Sequence, residues 1–134
     1  MSAYTEQQTQ ITDADILKKC LEEKGFKEVE QHKEAQQLVG YHGDKRQQTA
    51  EIIIRRKHVG SASNDIGFKK QADGTYAAII SDYDKGKHNA NWMADLKKRY
   101  ADKKIRAQAQ KAGLTFLKRI EGKDGSYKLQ FVQA

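Results

Sequence analysis

Apolar residues along this chain change their spacing several times, and each change marks an element. Tyr4 to Ile11 alternates weakly, as an edge strand does. Thr12 then stands as a helix N-cap, with Asp13 and Asp15 where carboxylates face the positive end of the helix dipole. Ile16, Leu17, Cys20 and Leu21 form one apolar stripe, and Gly25 supplies a left-handed stop, so a helix is predicted over 13–24. Phe26 to His32 reads as a strand interrupted by charges. Further strands are predicted over Leu38 to Tyr41 and, after a turn at His42 to Lys45, over Thr49 to Arg56 with its β-branched centre. Gly60 to Asn64 is loop. Asp65 to Lys70 and Tyr76 to Ser81 flank the Asp73-Gly74 turn, and Leu114 to Glu121 and Tyr127 to Val132 flank Asp124-Gly125, two hairpins of the same design.

Between these hairpins lies a helical region, Asn91 to Ala112, ended by Gly113. Trp92, Met93, Leu96 and Tyr100 share one face, but at about 100° per residue a straight helix carries Ile105, Ala109 and Ala112 to the opposite side. If both stripes meet one sheet, the region is two helices or one bent near Ala101-Asp102, with Asp102 capping the second piece. The expected architecture is a single α+β domain over 1–134. It is built on a mainly antiparallel sheet of hairpins, with one N-terminal helix and a bent or paired basic helical segment on one face. The other face is left to solvent or a partner.

Composition supports one core without staples. The 134 residues are 37% hydrophobic and 32% charged, without proline, without a repeat and with one cysteine, Cys20, on the apolar stripe of the first helix. A buried, inert thiol and a cytoplasmic protein follow as expectations, with the plastid stroma as the location if the gene is plastid-borne. The start is not patterned as a secretory signal, and no apolar run reaches the length of a membrane span. Net charge is +7, and its placement matters more than its size: residues 1–51 carry 7 basic and 10 acidic side chains, residues 85–119 carry 11 and 2. Such a segment either draws an acidic partner or is simply a solvated helix face.

Catalytic and metal chemistry have no readable signature. His32, His42, His58 and His88 stand apart, without metal-ligand spacing, and read as exposed structural residues. No phosphate-binding glycine loop and no nucleophile elbow is present, and no cofactor is implied. Asp82 and Asp84 are a close carboxylate pair at a strand end, which turn chemistry alone explains. Trp92 and Tyr100 lie among basic residues but at core spacing, so they read as packing rather than as base-stacking groups. The candidate binding surface is Lys97, Lys98, Lys104, Arg106 and Lys111.

The ordered landmarks Gly40-Tyr41-x-Gly43, Ile54-Arg55, Asp65-Ile66-Gly67-Phe68, Asp73-Gly74-x-Tyr76, Asp82, Arg99-Tyr100, Gly113 and Asp124-Gly125 resemble a known family. It is the hypothetical chloroplast reading frame thirty-five family of plastids, cyanobacteria and other bacteria. The chain departs from its pattern where the family has Asp-Trp-Trp-Gly and this sequence has Asp82-Tyr83-Asp84-Lys85-Gly86, and again at the end, Val132-Gln133-Ala134. The resemblance implies a compact protein of plastid or bacterial type and transfers no activity.

Three functions are weighed. The first is a non-catalytic accessory or adaptor module binding a macromolecular partner, a protein before a nucleic acid. The second is a nucleic-acid-binding protein using 85–119, and the third an enzyme whose site assembles from dispersed residues around Asp82, Asp84 or a histidine of shifted pKa. The edge strand near Tyr4 leaves homodimer formation by strand pairing open.

Overall fold

A computed structural model describes residues 2–133, which fall into two compact units, divided between Lys97 and Lys98. The α+β class and the antiparallel sheet stand as expected. In the first unit five strands, β1 (Tyr4–Gln8), β2 (Glu30–Val39), β3 (Lys45–Ile54), β4 (Ile66–Lys70) and β5 (Tyr76–Ser81), form one antiparallel sheet in the order β1-β5-β4-β3-β2. Strands β2 to β5 are a meander, and β1 is added beside β5 with Tyr4 opposite Ser81 and Gln8 opposite Ala77. Helix α1 (Ala14–Glu23) follows β1, and a short helix α2 (Arg56–Val59) follows β3. The second unit holds β6 (Leu114–Glu121) and β7 (Tyr127–Gln133), a two-stranded sheet of their own.

Register lines up the core. Ile52, Phe68 and Ala78 are successive partners across β3, β4 and β5, all fully or almost fully buried. Helix residues Leu17, Cys20, Leu21, Met93 and Leu96 are buried with them in this unit. The neighbouring row, Ile53, Gly67 and Ile79, points to the opposite side by the strand pleat. That side is not bare: Leu38, Ala50, Ile53 and Ile79 form a buried cluster with Tyr4 packed on it. Gly67 is needed there because a Cβ would come 2.7 Å from Ala50 Cβ and 3.0 Å from Leu38 Cδ2.

Asp65 immediately precedes β4 and is fully buried, yet both its carboxylate oxygens are hydrogen-bonded. Oδ2 accepts from Val39 N at 2.7 Å and from Arg55 Nη1 at 2.9 Å, and Oδ1 accepts from Arg56 N at 2.7 Å. Its backbone N–H donates to Val39 O, and its carbonyl accepts from the Tyr4 hydroxyl at 2.6 Å. Arg55 also donates from Nε to Glu30 at 2.9 Å, and this bond holds Glu30 below the usual carboxylate range. Asp65 thereby ties β1, β2, the end of β3, α2 and β4 together.

Four expectations are corrected. The strands expected over 26–32 and 38–41 are one strand, β2, whose register slips between Gln31 and Gln36; it is an edge strand polar on both sides, so it carries no alternation. Its partner β3 begins at Lys45, before the expected Thr49. Asp13, not Thr12, caps α1, its Oδ1 accepting from Ile16 N at 3.1 Å. The basic region is one continuous 22-residue helix, α3 (Ala90–Lys111), and not a pair, and Asp102 binds Arg106 instead of capping. Its buried apolar residues belong to different units, Met93 and Leu96 to the first and Tyr100 and Ala109 to the second, so they need not all share a face.

Two substitutions test this reading by chemical denaturation. Asp65→Ala leaves Arg55 and two backbone N–H groups without their acceptor and is expected to cost about 3–5 kcal/mol. Gly67→Ala forces overlap with Ala50 and Leu38 and is expected to cost about 1–3 kcal/mol.

Candidate functional site

Ten of the 25 basic residues and three of the 18 acidic ones lie in 98–134, so that unit alone carries the chain's whole net charge of +7 and residues 1–97 balance. Cations stack on the aromatic rings of the hairpin, two of them, Lys98 and Arg106, from the helix segment of its own unit. Arg106 lies 3.7 Å over the Phe116 ring, while Arg119 and Lys98 lie 4.0 Å and 5.3 Å over Tyr127. Phe116 meets Phe131 edge-on at 5.9 Å, and the Tyr127 hydroxyl donates to Lys98 O. Asp102 binds Arg106 and faces Arg119 at 3.9 Å, and Arg119 pairs with Glu121 at 2.8 Å.

The expected surface residues are therefore divided. Lys97 is exposed in the first unit. Lys98 and Arg106 are occupied in packing the hairpin, whereas Lys104 and Lys111, two turns apart, share one side of α3. The basic segment read from the sequence, 85–119, already reached Lys118 and Arg119; missed were the hairpin cations Lys123 and Lys128, which a charge window carried past 119 finds. Also missed were the aliphatic side chains of this unit that remain exposed, Ile105, Leu117, Ile120 and Val132, between 43% and 52%.

In the first unit the close carboxylates separate. Asp84 is buried and accepts from Asn64 N at 3.0 Å and from the Ser81 hydroxyl at 2.9 Å. Asp82 is exposed, accepting from the Thr5 hydroxyl and lying 3.8 Å from Lys85 Nζ. No group of three His, Cys, Asp or Glu side chains among the described residues could hold a metal ion. No helix among them is long and apolar enough to cross a membrane.

Three histidines lie at or near the surface, His32 against Glu30, His58 against Glu28 and His42 against Tyr41. The fourth is a correction: His88 is only 5% exposed. Its ring packs against Trp92 at 4.9 Å and Phe26 at 5.8 Å, and Lys24 covers the other ring contact of Trp92 at 5.0 Å. Nδ1 lies 3.2 Å from the Asp84 carbonyl, which only accepts, so Nδ1 carries the proton and Nε2 is an acceptor. Burial pushes the His88 pKa down, assisted by Lys87 and Lys24 and opposed by the Asp84 carbonyl and carboxylate. The ring lines a cavity of about 420 Å³ with Thr5, Gln7, Ile80, Lys85 and Asn89. The pocket with a shifted histidine that the third function requires is thus present, with Lys85 and Glu6 also in its lining.

Because the folded chain resists protonating His88 and the unfolded chain does not, protons favour unfolding. Stability is expected to fall as pH drops below about 6.5, by at most about 1.4 kcal/mol per pH unit, and His88→Phe to flatten that slope in denaturant titrations. No curated protein and no solved structure matches the chain. A family model described as Protein of unknown function (DUF1257) matches residues 11–130, from just before α1 to within β7, and the chain belongs to that family.

Proposed function

We propose that the protein is a non-catalytic accessory module whose 98–134 unit docks on an acidic protein partner. Within its family the order of landmarks supports the closer kinship with the chloroplast reading frame proteins, and with it a cytoplasmic or stromal setting. The observation that carries the reading is the coincidence, in one small unit, of the chain's entire net charge and four exposed aliphatic side chains. Charge alone would serve any polyanion; aliphatic groups gain only against another apolar surface. Base stacking finds little purchase, because Phe116 and Tyr127 already lie under arginine and lysine side chains. A protein surface with acidic and apolar residues satisfies both features, and a nucleic acid satisfies one.

The test is lysine cross-linking of the whole chain in host extract, with the cross-linked peptides sequenced. Cross-links from Lys104, Lys111 and Lys118 to an acidic protein are expected at about 0.05 M salt, and they should fade by about 0.5 M. They should be lost when Lys104, Lys111 and Lys118 become Glu together. Cross-links that survive the triple change, or retention of nucleic acid in place of protein, would overturn the proposal.

A further inference from the structure

The cavity beside His88 is built as a small-molecule site, and nothing in the docking role of the second unit uses it. Its floor is apolar, Ala78 and Ile80 of β5. One wall is β1, where the register sets Thr5 opposite Ile80 and Gln7 opposite Ala78, so both face inward. Glu6 also lines the cavity, and its pairing with Ile79 places it at the strand position whose side chain alternates to the other side of the sheet. Opposite lie Lys85 and the start of α3, where Asn89 caps the helix by accepting from Trp92 N at 3.1 Å. The first N–H groups of a 22-residue helix, Ala90 and Asn91, have no partner within it and carry its positive dipole end. At the back stands His88, whose Nδ1 is used by the Asp84 carbonyl and whose Nε2 bonds no protein group among the described residues.

These groups ask for two things at once. Lys85 and the helix terminus ask for an anion. The Nε2 lone pair asks for a hydrogen-bond donor, and an ionised carboxylate or a sulfate would present only lone pairs to it. A phosphate monoester meets both requirements, because its second pKa of about 6 leaves a P–OH on the group near neutrality beside anionic oxygens. Phosphate alone is far smaller than the space, which leaves room for an organic portion over Ala78 and Ile80. We propose that the cavity between β1, β5 and the start of α3 binds the phosphate group of a small molecule. The P–OH donates to His88 Nε2, and the anionic oxygens accept from Lys85 Nζ and the first backbone N–H groups of α3.

Nuclear magnetic resonance on the full chain at pH about 6 tests the assignment, with inorganic phosphate, phenyl phosphate and sulfate as probes. Both phosphates are expected to move the His88 ring nitrogens and the Ala90 and Asn91 amides, with sulfate inert at the same concentration. Lys85→Ala, a change at an exposed side chain, should weaken phosphate binding about tenfold. His88→Phe keeps a ring against Phe26 and Trp92 and should abolish the preference for phosphate over sulfate. Tighter binding of phenyl phosphate than of inorganic phosphate assigns an organic phosphomonoester, and equal binding assigns the free ion; either upholds the site. Sulfate binding as well as phosphate, no response to about 50 mM phosphate, or binding unchanged in Lys85→Ala and His88→Phe would overturn it.

Discussion

A buried carboxylate is tolerable only when both its oxygens are hydrogen-bonded and its charge is paired, and Asp65 sets the first unit's geometry through that requirement. Its partners come from β2, from the junction of β3 with α2, and from β1 through the Tyr4 hydroxyl. None of these segments is its neighbour in sequence, so the side chain is satisfied only when the sheet is assembled in the native register. A slip of β2 by one residue would take Val39 N away and leave the charge uncompensated. The Asp65-Ile66-Gly67-Phe68 run is accounted for residue by residue: a polar tie, two buried apolar groups, and a glycine where Ala50 and Leu38 leave no room for a methyl.

The two units answer the same chemistry differently. The first balances its charges and buries long aliphatic rows on both sides of its sheet. The second, built on one hairpin and part of one helix, has too little apolar surface to bury and uses cations laid on aromatic rings instead. That choice explains why arginine and lysine are dense there without being wholly free for a partner, and why aliphatic groups are left facing water.

How much of this was legible follows from where each signal lies. β5, β6 and both Asp-Gly hairpins were readable because β-branched runs and turn residues act locally. β2 was not, because a polar, bulged edge strand has no alternation to detect. The continuity of α3 was misjudged because both stripes were assigned to one sheet, whereas the chain divides at Lys97. His88 looked like any surface histidine, since Phe26 and the β1 and β5 residues that enclose it come from elsewhere in the fold. The basic residues were visible as composition, but only packing shows that Arg106 and Lys98 are spent on rings.

The placement of β1 beside β5 has a consequence for the order of folding. Strands β3, β4 and β5 can pair as soon as they leave the ribosome, since each partner is the next strand along, through the α2 connection and then a short turn. β1 is synthesised before all of them, yet its hydrogen-bonding edge does not exist until β5 is complete. The earliest strand made is therefore the last to find its place. Until it does, Ile79 and Ile80 in β5 form a raw sheet border, a transient hazard that α1, tethered directly to β1, is placed to shorten.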